Sequence, residues 1–478
     1  MADFDLAVIG AGPGGYAAAI LAAKSKMKVA LIEKTGVGGT CLQVGCIPSK
    51  ILLDAAKWLE HGKSFAEALN GGLPNFDYAK LISLERERVA AITKSLEWLV
   101  TKAGDKEAKV KIIKGEAKFL DSKTLEINGT DKLTAKRILI ACGAMAKIFP
   151  GIPYPHERIW TNVEALKSKE PPTELIILGG GAIGCEFASF FSGLNIPVTI
   201  VELMWKLLPL EDADVSKEIE RLFKKRGVKV VLGKKAEIEV YARGVRVKLT
   251  DGSVINGSHV LVATGIAPAT ENLELKNAGI VLNERGFIKV GLPDYQTNAQ
   301  GIYAIGDAIS VDGRPPLALA HVAAAEAEKV VTHIAGITVE PIDYDNIPTC
   351  VFTIPEVANV GLTEEKARKM KCGNPNHEIF AKKIPYISLG RATALNQRDG
   401  FVKIVEHRDT FGKTKLRQIA GAQIIGEHAS EIIHVFAAAR HAEDSIDHLK
   451  NLIFQHPTYS ELIAEVLRAL DGEAVHAL

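Results

Sequence analysis

The sequence has no apolar run of the length that a membrane-spanning helix requires, and it has almost no net charge. Its 58 basic and 57 acidic residues leave a formal charge of +1, which argues against a nucleic-acid or membrane-surface partner. Only six of the 478 residues are cysteine, too few for a disulfide scaffold. The first apolar strand begins at about Phe4, so no signal or transit peptide is expected and a cytoplasmic location is predicted; a processed organellar protein would have the same pattern. Length and composition indicate a globular protein of about two to four domains.

A dinucleotide-binding signature stands at the start of the chain. An apolar strand ends in Gly10, and Gly12 and Gly15 complete a G-x-G-x-x-G pattern that opens an alanine-rich helix. The strand that follows ends at Glu33. Gly10 permits a tight turn, Gly12 lets backbone amides approach a pyrophosphate, and Gly15 lets the helix pack closely on the strand. Glu33 is placed to accept hydrogen bonds from a ribose, so the segment is predicted to bind a dinucleotide.

The same pattern recurs later with identical internal spacing. A second apolar strand is followed by Gly179, Gly181 and Gly184, and the next strand ends at Glu202. Each residue stands 169 positions after its counterpart in the first pattern (179 − 10 = 169). The repeat predicts two dinucleotide sites that bind different nucleotides. Glu202 favours NAD(H) in the second site, because an acid repels a 2′-phosphate and residues 203–205 offer no arginine.

A glycine-rich segment directly after the first pattern contains two cysteines five positions apart, Cys41 and Cys46, followed by Lys50. On a regular helix the Cα atoms of such a pair lie roughly 8.6 Å apart, whereas a disulfide needs about 4.4–6.8 Å. The helix is therefore expected to break here, and Gly45 permits the break. The neighbouring nucleotide pattern favours a redox-active disulfide, with metal ligation or two buried thiols as alternatives. No Cys or His pair at zinc-ligand spacing accompanies the two cysteines, so no metal site is expected. The other four cysteines are scattered and expected to be inert: Cys142, Cys185, Cys350 and Cys372.

Three more strand ends carry residues suited to a ligand crevice. Two apolar strands run into Gly143 and Gly265, at comparable places in the two halves of the chain, and a third runs into Asp307. An acid that follows a glycine at the carboxyl end of a strand can meet a ligand there. An ordinary turn aspartate has the same pattern, so the motif alone leaves Asp307 undecided.

The last candidate lies in the segment His-Pro-Thr-Tyr-Ser-Glu at residues 456–461. A residue before proline avoids the helical region, so His456 is expected in a turn, with a helix from about Ser460. Glu461 could turn back and hold the imidazole, which would make His456 a proton shuttle near neutral pH. By itself the motif also fits a turn histidine followed by an ordinary first-turn glutamate.

The predicted fold class is α/β, with two Rossmann-like dinucleotide-binding domains and a C-terminal α+β dimerisation domain. Two long helices are expected at about residues 49–68 and 78–103, with a loop at 70–74 between them. From about Asn346 the glycine patterns stop. Strands at 401–406 and 418–425 and amphipathic helices at 431–442 and 460–470 indicate an α+β domain used for assembly. His321 is expected to be a packed helix residue.

Together these motifs resemble those of the class I pyridine nucleotide–disulfide oxidoreductases, a flavoprotein family. The resemblance covers essentially the whole chain and rests most on the dithiol segment and on the His-Pro-Thr segment with Glu461. It implies that FAD is held non-covalently by Gly10, Gly12, Gly14, Gly15, Glu33, Lys50, Gly143, Asp307 and Ala320. It implies that NAD⁺/NADH is held by Gly179, Gly181, Gly184, Glu202 and Gly265. The catalytic residues that it implies are Cys41, Cys46, Lys50 paired with Glu186, and His456 oriented by Glu461.

The family organisation also implies domain boundaries. They place an FAD-binding domain at 1–147, an NAD-binding domain at 148–270, a central domain at 271–345 and a dimerisation domain at 346–478. Members of the family are homodimers in which this histidine comes from the other subunit, and the His456–Pro457 bond is cis in relatives. Ile266 departs from the family pattern, because relatives usually carry arginine at this position.

The resemblance finally implies an activity. The chain is expected to oxidise dihydrolipoamide to lipoamide through a Cys41–Cys46 disulfide and FAD, and to reduce NAD⁺ to NADH. Its expected partners are the lipoyl domains of 2-oxoacid dehydrogenase complexes or of the glycine cleavage system, without nucleic acid or a membrane. The alternatives are a related flavin enzyme with another disulfide substrate, such as glutathione, and a non-catalytic FAD-holding subunit.

Overall fold

The computed structural model describes residues 2–65, 68, 76–370, 377–411 and 414–476. The predicted loop at 70–74 and Cys372 lie outside these residues. Within them the three largest sheets are one for each glycine-rich pattern and one near the C-terminus. This arrangement agrees with the predicted fold class.

The first glycine-rich pattern lies in a seven-stranded sheet. The elements up to the end of this region are β1 (Phe4–Ile9), α1 (Pro13–Lys24), β2 (Val29–Glu33), α2 (Gly39–Val44), α3 (Cys46–Ser64), α4 (Tyr78–Lys102), β3 (Val110–Lys114), β4 (Ala117–Phe119), β5 (Thr124–Ile127), β6 (Asp131–Ile140) and β7 (Ala144–Ala146). The strand order is β3–β2–β1–β6–β5–β4, parallel from β3 to β6 and antiparallel beyond. β1 and β2 are almost wholly buried, as their continuous apolar sequences predict for parallel strands.

The second pattern lies in a five-stranded parallel sheet with the order β11–β10–β9–β15–β8. Its region contains β8 (Ile159–Trp160), α5 (Asn162–Lys167), β9 (Leu175–Leu178), α6 (Ala182–Gly193), β10 (Val198–Glu202), α7 (Ala213–Lys225), β11 (Lys229–Leu232), β12 (Ala236–Tyr241), β13 (Gly244–Leu249), β14 (Val254–Gly257), β15 (His259–Val262) and β16 (Ile266–Pro268). Strands β12, β13 and β14 form an antiparallel sheet beside it. Ile266 lies in β16, which pairs with β7 and so ties the two nucleotide regions together.

The segment between the second sheet and the C-terminal region returns to the first sheet. It contains β17 (Ile288–Val290), β18 (Ile302–Ala304), β19 (Ile309–Val311) and α8 (Ala320–Ile334). β18 pairs in parallel with β6 and becomes the seventh strand, and α8 packs against α1. His321 lies in the first turn of α8 but is exposed, with its ring 3.1 Å from the Pro348 carbonyl, so the prediction of a packed histidine was wrong. The domain boundaries at 147, 270 and 345 stay predictions.

The C-terminal region forms a five-stranded antiparallel sheet with the order β20–β21–β24–β23–β22. Its elements are β20 (Thr349–Val351), β21 (Glu356–Gly361), α9 (Glu364–Lys369), β22 (His377–Pro385), α10 (Gly390–Ala394), β23 (Phe401–Phe411), β24 (Thr414–Gly426), α11 (Ala429–His441), α12 (Ile446–Leu449) and α13 (Glu461–Ala469). The predicted strands 401–406 and 418–425 were too short. The outer half of β23 carries charged and histidine side chains, which an apolar criterion for strands does not recognise.

Helix α3 packs where the regions meet. Its residues Leu52 and Ala56 share one hydrophobic core with Phe191 of α6 and with Val357 and Phe401 of the C-terminal sheet. The segment that begins with Cys46 is therefore held between the second nucleotide region and the C-terminal region.

Candidate active site

The two glycine-rich turns have the same backbone geometry. Gly10 has φ +100° and Gly179 has φ +109°, values that L side chains rarely adopt. A side chain at either position would also overlap the carbonyl oxygen of the neighbouring strand. By contrast, a Cβ placed on Gly12 or Gly181 meets no atom within 4 Å, so the N-terminus of each following helix opens into free space. Such helix ends suit a pyrophosphate, because their amide groups are unpaired and the helix dipole favours negative charge.

The two predicted ribose-binding acids are held in the same way. Glu33 accepts hydrogen bonds from the amides of Ala11 and Thr35, both at 2.8 Å. Glu202 accepts them from the amides of Gly180 at 2.5 Å and Met204 at 2.7 Å. One oxygen of Glu33 also accepts the Thr35 hydroxyl at 2.8 Å, so within the described residues the other oxygen of Glu33 and both oxygens of Glu202 keep a lone pair for a further donor such as a ribose hydroxyl. The side chains after Glu202 are exposed and apolar, and Trp205 is 81% exposed.

Five other predicted cofactor residues differ in their surroundings. Gly143 and Gly265 have positive φ, and a Cβ placed on either of them meets no atom within 4 Å, so they border open space. Asp307 lies in the turn after β18, where burial raises the pKa of its carboxyl, and Ala320 is the first residue of α8. A Cβ on Gly14 would lie 2.8 Å from Cδ1 of Ile305 and 3.0 Å from the carbonyl oxygen of Ala323, so close packing of α1 against α8 favours glycine here.

The dithiol segment breaks at the predicted place. Helix α2 ends at Val44 and α3 begins at Cys46, with Gly45 between them in a non-helical conformation. A Cβ on Gly45 would lie 2.8 Å from the Thr40 carbonyl oxygen, so this close approach requires glycine. Cys46 therefore sits at the N-terminus of a 19-residue helix, a position that stabilises a thiolate.

The two cysteines are free thiols in this structure, and they differ in acidity. The hydrogen bond that Cys41 donates lowers the pKa of Cys46 to about 7; burial opposes this change and the Lys50 charge assists it. The same hydrogen bond, together with burial, raises the pKa of Cys41. Cys46 is therefore the first of the pair to ionise. Burial raises the pKa of Cys142 and Cys350 to about 12 and that of Cys185 further, which fits the prediction that they are inert.

Lys50, one helical turn after Cys46, forms an ion pair with Glu186 of α6. Its Nζ lies 2.9 and 3.0 Å from the two carboxylate oxygens, and it also lies 4.4 Å from the centre of the Phe352 ring. Glu186 in turn accepts the Phe352 amide at 2.9 Å. The predicted pair thus joins the dithiol helix, the second nucleotide region and the C-terminal region at one point.

His456 and Glu461 also meet. Nδ1 of His456 lies 2.9 Å from one oxygen of Glu461, and the other oxygen accepts the Thr458 amide at 2.8 Å. Burial would raise the pKa of Glu461, but these two hydrogen bonds hold it below its ordinary value. The His456–Pro457 bond is cis. The ring is 77% exposed, and among the described residues no hydrogen bond or ion pair joins it to Cys41 or Cys46.

Sequence reasoning missed a buried network beside Asp307. Glu326 of α8 accepts the Gly306 amide and the Tyr344 hydroxyl, both at 2.7 Å, and the Tyr344 and Tyr295 hydroxyls lie 2.9 Å apart. Burial raises the pKa of Glu326 to about 7. The sequence signal for this network was a single acid, Glu326, within the alanine-rich segment 320–327. Its hydrogen-bond partners could not be predicted, because they come from other segments of the chain.

These sites suit the transfer of electrons between a dithiol and bound dinucleotides. Two open helix ends can hold two pyrophosphates, and a thiol of low pKa begins the helix that lies beside them. The geometry therefore defines a disulfide reductase of the two-nucleotide class. None of the described helices has the length and apolar composition needed to span a bilayer.

Comparison with known proteins assigns the family. Residues 4–327 match the pyridine nucleotide-disulphide oxidoreductase family, and residues 347–467 match the dimerisation domain of the same family. The chain belongs to this family and is an oxidoreductase with FAD and NAD(H) as cofactors. The match to a dimerisation domain supports a homodimer.

Individual relatives extend over the full chain. The dihydrolipoyl dehydrogenase of Zymomonas mobilis is 38% identical and covers 100% of both chains, and that of Bacillus subtilis is 34% identical and covers 99% of both. Among solved structures, LpdA of Mycobacterium tuberculosis is 29% identical with a TM-score of 0.85, covering 97% of this chain and 99% of its own. The HOCl-induced flavoprotein disulfide reductase RclA of Escherichia coli is 28% identical with a TM-score of 0.84, covering 97% and 99%.

Proposed function

We propose that this protein oxidises dihydrolipoamide to lipoamide through Cys41 and Cys46 and reduces NAD⁺ to NADH. The observation that carries the proposal is the asymmetric dithiol at the start of α3. Full-length relatives with the name dihydrolipoyl dehydrogenase support the choice of substrate. The natural substrates would be lipoyl domains of 2-oxoacid dehydrogenase complexes or of the glycine cleavage system. The protein would act in the cytoplasm, where a dithiol remains reducible.

The first half of the thiol chemistry begins with Cys41 and Cys46 joined as a disulfide. His456 takes the proton from one thiol of dihydrolipoamide, and the resulting thiolate attacks Sγ of Cys41. The Cys41–Cys46 bond breaks and Cys46 leaves as a thiolate. The helix N-terminus and the Lys50 charge stabilise the leaving anion, and the hydrogen bond from Cys41 adds to this once Cys41 is again a thiol.

The second half closes the substrate disulfide. The second substrate thiol loses its proton and attacks the sulfur that is bonded to Cys41. Cys41 then leaves and takes the proton held by His456, while the other substrate proton goes to solvent. Two electrons now reside on the reduced pair Cys41–SH and Cys46–S⁻. When bound, FAD and NAD⁺ supply the electron-accepting chemistry that side chains lack.

The proposed cofactor contacts follow the open spaces described above. FAD would lie on Gly10, Gly12 and the residues around Glu33, with Asp307 and Ala320 facing its chain. NAD(H) would lie on Gly181, Gly184 and Glu202. Because His456 has no described contact with the dithiol of its own chain, we assign it to the dithiol of the other chain in the homodimer. Glu461 fixes the orientation of the ring.

The histidine role can be tested with a matched pair of variants. His448 is also exposed and lies 2.7 Å from a carboxylate, that of Asp444, in the same region of the chain. We expect His456→Gln to slow reduction of the enzyme by dihydrolipoamide by at least about 10²-fold, the usual scale for a lost general base, and His448→Gln to leave it unchanged. Reduction by NADH should be normal in both variants, because that half-reaction does not use the histidine.

The assay is anaerobic stopped-flow absorbance of the flavin after mixing with dihydrolipoamide or with NADH. Equal rates for His456→Gln and His448→Gln would assign the base elsewhere. A wild-type enzyme that NADH reduces but dihydrolipoamide does not would leave the family intact and rule out this substrate. Glutathione disulfide with NADPH, assayed in the same way, tests the alternative disulfide reductase.

A further inference from the structure

Two histidines and an aspartate converge on one face of the C-terminal sheet, far in sequence from the dithiol. His377 is the first residue of β22 and stands directly opposite Asp409 of β23 in the antiparallel register. His407 precedes Asp409 by two residues, so its side chain projects on the same face. One nitrogen from each ring and one oxygen of Asp409 all lie within 4.8 Å of one another.

One oxygen of Asp409 lies close to both imidazole rings but does not accept a hydrogen bond of good geometry from either. Oδ1 of Asp409 lies 2.7 Å from Nε2 of His377 and 3.4 Å from Nε2 of His407. Yet Oδ1 is buried and accepts no hydrogen bond of good geometry from the described part of the chain. Asp409 is only 9% exposed, and a buried carboxylate oxygen without a proper donor is costly. A cation bound between the three groups would satisfy this oxygen.

We propose that His377, His407 and Asp409 bind a divalent first-row transition ion of the Zn²⁺ type. Two imidazoles and one carboxylate are a donor set that Zn²⁺ accepts, with a fourth position left for water. Tetrahedral bonds of about 2.0–2.1 Å place neighbouring donor atoms about 3.4 Å apart. The His407–Asp409 distance already has this value; the His377–Asp409 distance must lengthen by about 0.7 Å and the distance between the two imidazole nitrogens must shorten by at most about 1.4 Å. The two rings meet edge to face, with 82° between their planes, so they can approach an ion from different directions.

The surroundings leave room for the ion and its water. A cavity of about 570 Å³ borders both histidines and lies between the sheet, α9 and the end of α11. Acidic side chains on its wall favour the entry of a cation: Asp343, Glu443 and Asp444. The basic side chain on the same wall, Arg440, is occupied by the carbonyl oxygens of Ile419 and Ala420.

The bound ion has a structural consequence. β22 is the edge strand of its sheet, and His377 is the residue at which it begins. An ion held by one residue of β22 and two of β23 cross-links the open end of this hairpin. We therefore expect metal binding to protect the edge strand rather than to change turnover, since none of these residues belongs to the proposed catalytic groups.

The test is isothermal titration of the FAD-loaded, full-length protein with ZnCl₂. The parent for all variants carries Cys41→Ser, Cys46→Ser and Cys372→Ser, so that these thiols do not take up the metal. We expect saturable binding of one Zn²⁺ per chain. His407→Ala and Asp409→Asn should each weaken it by at least about tenfold, because each removes a ligand. His448→Ala, which alters another histidine with a carboxylate partner, should bind like the parent.

Further measurements separate loss of a metal ligand from loss of the fold. The flavin content and circular dichroism of each variant show whether it is folded, and X-ray absorption at the zinc edge identifies the ligands. A nitrogen and oxygen shell near 2.0–2.1 Å with imidazole scattering supports the site. Three results would overturn the proposal: no saturable binding to the parent, unchanged affinity in both ligand variants, or a sulfur shell near 2.3 Å. The first of these would leave an ordinary pair of histidines around Asp409.

Discussion

The acidity of Cys46 should depend on whether residue 41 can donate a hydrogen bond. The thiol of Cys41 is the largest influence that lowers the pKa of Cys46, from an ordinary value of 9.0 to about 7. Cys41→Ala removes this donor and leaves burial opposed by the weaker effects of the Lys50 charge and a backbone hydrogen bond, so the pKa should return to about 9. Cys41→Ser keeps a donor in place, so its Cys46 should stay close to 7. The two-unit difference corresponds to about 3 kcal/mol in favour of the thiolate.

Cys41→Ala should change the alkylation rate of Cys46 at a single pH only slightly, because two opposite effects partly cancel. At about pH 7.5 the thiolate fraction of Cys46 should fall about 25-fold in Cys41→Ala, from about 76% to about 3%. A thiolate with a pKa two units higher is about six to ten times more nucleophilic, because nucleophilicity rises with basicity. The alkylation rate at this pH should therefore drop only about 2.5- to fourfold. The midpoint of the pH profile, rather than one rate, separates the two variants.

The assay is alkylation of Cys46 by iodoacetamide from acid to alkaline pH, followed by mass spectrometry of its peptide. Both variants carry Cys372→Ser. Cys142, Cys185 and Cys350 should not react, because burial raises the pKa of each. Midpoints near 7 in both Cys41→Ala and Cys41→Ser would refute the reasoning and assign the acidity of Cys46 to Lys50 and the helix N-terminus. A midpoint near 9 in both would show that a hydroxyl cannot replace the thiol donor.

Two stability predictions concern buried charges outside the active site. Burial raises the pKa of Glu211 from 4.5 to about 7, so the folded state favours the protonated carboxyl. The stability that this group contributes is fully present below pH 4.5 and is lost as pH rises to 7. Glu211→Gln can still accept a hydrogen bond from Asn359. Its free energy of unfolding, measured with urea, should therefore rise relative to wild type by up to about 3 kcal/mol between pH 4.5 and 7. A difference between the two proteins that does not change with pH would contradict this. Lys403, 4% exposed, pairs with Asp212 at 2.9 Å and with Asp214 and Glu364 at 2.8 Å. Lys403→Met should destabilise the fold by about 3–5 kcal/mol, because it removes the cation that pairs with the buried carboxylate of Asp212, whereas the half-exposed Lys383→Met should cost far less; equal urea midpoints would refute this.

Local sequence patterns predicted the parts of the site that are made locally. Two glycine patterns with the same spacing identified both nucleotide turns, since the turn, the helix end and the acid lie within one strand–helix–strand unit. The cysteine spacing predicted a break in the helix at Gly45, because the Cα separation on a regular helix is too long for a disulfide. The contact between His456 and Glu461 was within reach because only five positions separate them.

Other features depend on contacts between distant segments, and local patterns could not predict them. β18 joins the first sheet beside β6 although more than 160 positions separate the two strands (302 − 138 = 164). Glu326 draws its hydroxyl partner from Tyr344, and Lys403 collects carboxylates from two other elements. The same holds for the cluster of His377, His407 and Asp409, because pairing of two strands brings these residues together. Ile266 pairs with Ala146 in β7, but nothing in this pairing explains the loss of the family's arginine.

The ion pair between Lys50 and Glu186 makes the dithiol sensitive to the position of the second nucleotide region. Lys50 is anchored through Glu186 to α6, and Glu186 is anchored to the backbone at Phe352. The Lys50 charge is also one of the influences that lower the pKa of Cys46. If a bound nucleotide displaces α6, it must change the field that this charge exerts on the sulfur. Thermodynamic linkage then requires that ionisation of Cys46 changes the affinity for that nucleotide by the same factor. With such a displacement, the ion pair would couple the pKa of Cys46 to the binding of the nucleotide.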